Sequence, residues 1–255
     1  MSEAKRSDVA AVVLAAGMGK RMHSDLAKVL HPMAGRPLLA HVLDTLAALE
    51  VGRTVVVIGH QRERVQAAFA NVPGIEWAIQ AEQRGTGHAC MMAEPALRGF
   101  TGTVLIVCGD TPLLTPGTLA ALLDRHARTR ASGTVLSMRL ADPQGYGRIV
   151  RTPDGEGIEK IVEEKDATPA IRALDEVNSG IYAFDHAALA GVLSSLTANN
   201  AQGEYYLTDT IALLRAKGAP VGVWCAPDAR ELLGINTPEQ LAEAEAAWFA
   251  MRKGA

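Results

Sequence analysis

The first 140 residues alternate between two hydrophobic periods, and this constrains the fold more than any other feature. Residues 9–15 form an unbroken apolar run, the pattern of a strand buried on both faces. Residues 37–49 then carry apolar side chains at helical spacing, with Pro37 suited to the first helical turn. The pattern predicts further strands over 54–58, 75–79, 103–108 and 134–140, and helices over 63–69, 87–97 and 116–129. Strands and helices in this order imply βαβ units, hence an α/β fold with a mostly parallel sheet flanked by helices. Such crossovers are right-handed, and a ligand crevice lies beyond the carboxyl ends of the strands.

The texture changes after residue 140. Gly145, Gly147, Gly155 and Gly157 punctuate short strand-like pieces at 148–151 and 158–163. A longer strand is expected over 177–184, helices over 208–217 and 238–251, and a strand over 221–224 between them. This reads as a β-rich insertion or second lobe. The formal net charge of −3 gives no overall attraction to nucleic acid or an anionic membrane. An anionic ligand must therefore be held by local positive groups. No apolar run reaches the ~18 residues that span a bilayer, and the polar residues 1–8 run straight into the first strand without a signal peptide. Cys90, Cys108 and Cys225 lie in apolar segments without Cys-x-x-Cys spacing, which argues against a disulfide framework or zinc site. They read as reduced packing residues, and the expected location is the cytoplasm.

The first strand runs into Leu14-Ala15-Ala16-Gly17-Met18-Gly19-Lys20-Arg21-Met22. Two glycines allow a sharp turn and close backbone approach to a ligand, and successive N–H groups in such a turn cradle an anion. Arg21 can bind phosphate oxygens bidentately, and Lys28 adds a compact charge. A phosphate-binding P-loop would need a different glycine spacing, and a dinucleotide fingerprint would need a third glycine where Met22 stands. Taken alone, Gly-x-Gly also fits a structural turn.

Further polar strings fall at other strand ends. Residues 80–89, rich in Gln, Gly and Thr, fit a base-reading loop or a polar turn with a helix cap; amides offer a donor and an acceptor together. Asp110, after Cys108 and Gly109, is placed to hold a cation beside phosphates, or to cap a turn. Segments 144–149, 163–166, 176–182, 199–209 and 234–238 follow, each with an ordinary turn, strand or cap reading beside a functional one. His88 reads as structural, and no Ser-His-Asp or Cys-His constellation is apparent.

Leu14-x2-Gly17-x-Gly19-x2-Met22-x5-Lys28 resembles the signature of the nucleoside-diphosphate-sugar pyrophosphorylases, a large nucleotidyltransferase family. The later strings follow that family's order over residues 9–241 and are similar to those of bacterial UDP-N-acetylglucosamine pyrophosphorylases. The resemblance implies a Rossmann-like nucleotide-diphospho-sugar transferase fold in one nucleotidyltransferase domain. About residues 1–140 would bind nucleotide, 141–236 would form a sugar-binding lobe, and 237–255 a C-terminal helix. It implies nucleotide contacts at Leu14, Ala15, Ala16, Gly17, Gly19, Lys28, Gln80, Gln83, Gly85 and Thr86. Sugar contacts would come from Gly109, Gly147, Glu163, Asn178, Tyr206 and Thr208, and Mg²⁺ ligands from Asp110 and Asn236. Arg21 and Lys28 would be catalytic.

The implied reaction joins UTP and N-acetylglucosamine 1-phosphate into UDP-N-acetylglucosamine, a precursor for peptidoglycan and lipopolysaccharide, releasing pyrophosphate. Both substrates are small molecules. The family usually has Thr where Lys20 stands, Pro where Ala27 stands and an aromatic residue where Cys108 stands. The Ala27 change is expected to loosen the backbone before Lys28. Many members continue into an acetyltransferase β-helix of hexapeptide repeats; no such repeat occurs here, so neither acetyl transfer nor a coenzyme A site is expected. Two other readings stay open: a pyrophosphorylase for another sugar or base, and a nucleotide-sugar sensor without turnover.

Overall fold

Each apolar run of the first half becomes a strand of one sheet. The computed structural model describes residues 6–253; the first five residues of the polar N-terminal segment and the last two of the C-terminal one lie outside the described residues. In chain order the elements are β1 (Arg6–Ala15), β2 (Pro32–Met33), β3 (Arg36–Pro37), α1 (Leu38–Ala48), β4 (Val51–Ile58), α2 (Arg62–Ala68) and β5 (Ile75–Ile79). They continue with α3 (Thr86–Ala93), β6 (Thr103–Cys108), α4 (Pro116–Thr129), β7 (Gly133–Arg139), β8 (Arg148–Arg151), β9 (Ile158–Val162) and α5 (Pro169–Arg172). The last are β10 (Glu176–Asp185), α6 (His186–Leu193), α7 (Asp209–Ala216), β11 (Val221–Cys225) and α8 (Pro238–Lys253).

The strand order is β11-β7-β10-β6-β1-β4-β5, and only β10 runs antiparallel to its neighbours. The central strand explains why its sequence is unbroken and not alternating. Ala11 and Val13 of β1 pack with Leu39, Leu46, Leu119 and Leu122 of α1 and α4. Ala10 and Val12 pack on the other face with Ala89, Ala93, Leu189 and Ile211 of α3, α6 and α7. From β1 the chain passes to β4 on one side and later to β6 on the other. The ends of β1 and β6 therefore flank a topological switch point, where open α/β sheets bind ligands.

Two expectations need correction. Pro37 lies one residue before α1, in the short β2–β3 hairpin, whose turn residues Ala34 and Gly35 have φ of 49° and 76°. The helix expected over 87–97 stops at Ala93, and Glu94–Leu97 tightens into a 3-10 turn at Pro95, whose ring removes an N–H donor. The β-rich insertion expected after 140 is continuous with the main sheet. Only the β8–β9 hairpin stands aside, joined to β10 through the Val177–Arg148 pairing. β10 itself lies between β7 and β6, because Ile181, Tyr182, Ala183 and Phe184 are all buried. Helix α6 has no counterpart in the sequence reading; Asp185 caps it by accepting from the Ala188 N–H at 2.8 Å.

Candidate functional site

The loop after β1 turns at Gly19, which has φ 63° and ψ 34°. A Cβ there would lie 2.7 Å from Lys28 Cβ, so the loop and Lys28 pack closely only because residue 19 is glycine. The Met22 N–H donates to Gly19 O at 2.8 Å, closing the turn Lys20–Met22. Met22 anchors the turn in an apolar cluster with Met33, Leu38, Leu113 and Ile235. Lys20 and Arg21 stay exposed. The Arg21 charge is close enough to act on the Tyr146 hydroxyl. Burial and then Asp110 raise the pKa of that hydroxyl; a Gly234 backbone hydrogen bond and Arg21 oppose them.

Lys28 extends into the crevice. Its Nζ pairs with Asp110 Oδ2 and donates to Asn236 Oδ1 at 3.1 Å. Asp110 follows the end of β6, where Gly109 is buried and its N–H donates to Leu14 O at 2.9 Å. Asn236 Nδ2 donates to Gly234 O at 3.1 Å, which turns its oxygen toward Lys28. The Ile235 N–H donates to Asp110 O at 2.9 Å and ties the two segments together. A carboxylate and an amide oxygen thus converge on one cationic position. Both are hard oxygen donors, and Mg²⁺ typically takes one or two protein oxygens and keeps water in its other positions. The donor set fits that ion, with the Lys28 ammonium standing in for it.

The residues expected to read the base line a cavity of about 390 Å³ with the loop. Leu14, Ala15, Ala16, Gly17, Lys28, Gln80, Gln83, Gly85, Thr86, Cys108 and Asp110 are all on its wall. Gln80 is buried, and its Nε2 donates to Gly85 O at 3.0 Å and lies 3.1 Å from His88 Nδ1. Its carbonyl oxygen is the group left for a ligand, matching a pyrimidine N–H donor. Gln83 donates to Ala16 O at 2.8 Å, joining this loop to the glycine turn. Gly85 has φ 101°, and a Cβ there would meet Tyr205 O at 2.6 Å. The loops are knitted further by Gly87 N–H to Tyr205 O and Tyr205 N–H to Arg84 O, both 2.8 Å. The Leu207 N–H donates to Thr86 Oγ1 at 3.1 Å.

The expected sugar residues form two groups. Thr208 Oγ1 donates to Glu163 Oε1 at 3.1 Å, and the Cβ site of Gly147 lies 3.5 Å from that carboxylate. The Asn178 N–H donates to Gly147 O at 2.8 Å. Burial and then Glu163 raise the pKa of the Tyr182 hydroxyl well above its ordinary value, against an Asn178 hydrogen bond. Burial pushes the Glu163 pKa up, and Asp209, Asp166 and Glu204 add to this against the Thr208 hydrogen bond. Tyr206 is set apart: its hydroxyl donates to Asp166 Oδ2 at 3.1 Å. Gly109 packs beneath the cavity against Ala15 and Val29 instead of lining it.

Two departures from the family pattern have structural partners. Ala27, expected to loosen the approach to Lys28, is buried with φ −53° and ψ 134°, and its N–H donates to Gln61 Oε1 at 3.1 Å. Cys108 Sγ donates to Gly180 O at 3.6 Å, and Gly180, with φ 80°, has no Cβ to collide with it. Burial and then Asp110 raise this thiol to about 12, so it is not a nucleophile at neutral pH. The sequence reading missed Gln61, while Tyr182, Asp166 and Glu204 fell inside segments it singled out for Asn178, Glu163 and Tyr206. Gln61 was findable by the rule used for the other loops, since it follows the carboxyl end of β4.

A glycine turn, a carboxylate and an amide oxygen converging on Lys28, and a cavity at the switch point of the sheet make up the candidate site of this α/β protein. The family described as the MobA-like NTP transferase domain matches residues 11–184. The chain belongs to this family of nucleotidyltransferases and has its nucleotide-diphospho-sugar transferase fold. It is 52% identical over 242 residues to the Bifunctional protein GlmU of Corynebacterium glutamicum, covering 93% of this chain and 50% of that one. The Thermobifida fusca protein of the same name is 52% identical over 240 residues, with 92% and 49% covered. That of Geobacter metallireducens is 48% identical over 237 residues, with 93% and 50% covered. The chain spans about half the length of the curated relatives it matches.

Proposed function

We propose that this chain is a cytoplasmic uridylyltransferase that makes UDP-N-acetylglucosamine and pyrophosphate from UTP and N-acetylglucosamine 1-phosphate. The observation that carries this reading is that Lys28 and Asp110, with Asn236 bonded to Lys28, share one cavity wall with Gln80, Gly85 and Thr86. In one domain, residues 1–140 hold the nucleotide, 141–236 supply the sugar contacts, and the C-terminal segment 237–255 begins directly after Asn236. No helix among the described residues is long and apolar enough to cross a membrane, in keeping with small soluble substrates.

A sugar phosphate oxygen attacks the α-phosphorus of UTP in line, forming a P–O bond as the bond to pyrophosphate breaks. The sugar phosphate is already ionised near pH 7, so the step needs no general base. Gln80, Gly85 and Thr86 hold the uracil, while Glu163, Thr208 and Asn178 face the sugar hydroxyls and acetamide. Arg21 and the N–H groups around Gly17 and Gly19 stabilise charge growing on pyrophosphate, and Lys28 lies across the phosphates. Asp110 and Asn236 would hold Mg²⁺, which when bound offsets repulsion between the two anionic substrates. Catalysis is then positioning and charge stabilisation. The test is pyrophosphate release on mixing the protein with UTP, N-acetylglucosamine 1-phosphate and Mg²⁺. Tight UDP-sugar binding without release would make the chain a sensor.

A further inference from the structure

We infer that Gln61 is a positioning residue for Lys28, acting through the backbone of residues 25–27. The inference rests on the reading above only for its kinetic consequence. Gln61 occupies the turn between β4 and α2 with φ 52° and ψ 36°, a left-handed conformation that side-chain-bearing residues avoid. From there its half-buried amide makes two opposite contacts with the lysine segment. Oε1 accepts the Ala27 N–H at 3.1 Å, and Nε2 donates to Asp25 O. Arg64 Nη1 donates to the same Oε1 at 3.2 Å and fixes which way the amide faces. The preceding residue of the turn, His60, donates its N–H to Ala16 O at 3.4 Å. One turn therefore touches both sides of the phosphate loop, at Ala16 and at Ala27.

The segment it holds has little else to fix it. His23, Ser24 and Asp25 are exposed, and His23 is itself left-handed at φ 48°. Ala27 is buried, so without Gln61 its N–H would be an orphaned donor. The next residue carries the ammonium that meets Asp110 and Asn236. Ala27 also has φ −53°, within the range a proline ring imposes. A proline there would fix the same dihedral with no N–H to satisfy. Gln61 thus supplies from outside a restraint that proline would supply from within the backbone.

The experiment compares wild type, Gln61→Ala and the double variant Gln61→Ala/Ala27→Pro. Hydrogen exchange is read at the Leu30 and His31 amides, which donate to Ala27 O at 2.9 Å and Lys28 O at 3.1 Å, melting temperature is recorded, and pyrophosphate release gives kcat and KM for UTP. Gln61→Ala is expected to speed exchange at both amides about tenfold and to lower kcat/KM about tenfold, the scale of a sub-ångström displacement of a reacting group. Adding Ala27→Pro should return both to within about threefold of wild type, which a general loss of stability would not do. Unchanged exchange in Gln61→Ala, or no recovery with proline, overturns the inference. If wild type itself releases no pyrophosphate, the functional reading fails, and the exchange data alone still decide the role of Gln61.

Discussion

Replacing Gly19 by alanine should damage both stability and turnover, whereas the same change at Gly17, two residues away, should leave the free protein's stability intact. Alanine at φ 63° must adopt the left-handed region, at a cost of about 1–2 kcal/mol. Its Cβ also meets Lys28 Cβ at 2.7 Å. That atom is next to the backbone, so no rotamer change relieves the contact; either the turn or residue 28 must move. Overpacking of this kind costs about 1–3 kcal/mol. For a chain of this size, the combined loss lowers the melting temperature by about 5–15 °C. Gly17 has no positive φ, and nothing lies within 4 Å of its Cβ position. Thermal unfolding of the two variants, with UTP turnover on each, makes the comparison. Gly19→Ala should also lose about 10²-fold in kcat/KM, because shifting Lys28 misplaces its ammonium. A melting temperature for Gly19→Ala within about 2 °C of Gly17→Ala would refute the packing argument, since the αL cost alone exceeds that margin.

Arg21→Ala and Asp110→Ala should each lower turnover by at least about 10²-fold, the scale for one lost charge-stabilising group. Near-normal pyrophosphate release in either would remove that residue from the chemistry. Glu163→Gln should show a pH-dependent gain in stability. The folded state raises the Glu163 pKa, so its contribution is fully present below the ordinary carboxylate range and is lost as pH rises through the raised value. Glutamine removes that loss, so the melting-temperature gap over wild type should open as pH rises above the ordinary carboxylate range, while KM for the sugar phosphate rises. A gap that does not change with pH contradicts the assignment. Chelation by EDTA should stop turnover and added Mg²⁺ should restore it; full activity in EDTA would remove the metal role from Asp110 and Asn236.

Legibility in the sequence followed the physics of each feature. The strand at 103–108 was readable to the residue, because an apolar run bounded by polar residues marks a buried strand. The sheet's composition after residue 140 was not readable. Nothing in 177–184 states that its partners are β6 and β7, because a strand buried on both faces looks alike at the centre or the edge of a sheet. Helix α6 was hidden because its polar cap, Asp185, also ends a strand. At the site, the residues beside glycines were legible, since close backbone approach needs Gly19 and Gly85. Gln61 stands at a strand end, where the rule for the other loops points, but its partner was not legible: the bond to Ala27 spans 34 residues, and no local pattern names it. The departure at Ala27 looked like a weakened loop until its N–H partner was visible.

The most direct test of the central claim is the ratio of kcat/KM for N-acetylglucosamine 1-phosphate over glucose 1-phosphate, both with UTP and Mg²⁺ and read by pyrophosphate release. The surroundings of Glu163, Asn178 and Thr208 predict release with the first sugar and a ratio of at least about 10², as expected where a site hydrogen-bonds a group the competitor lacks. Equal rates with the two sugars, or release with neither, would contradict it.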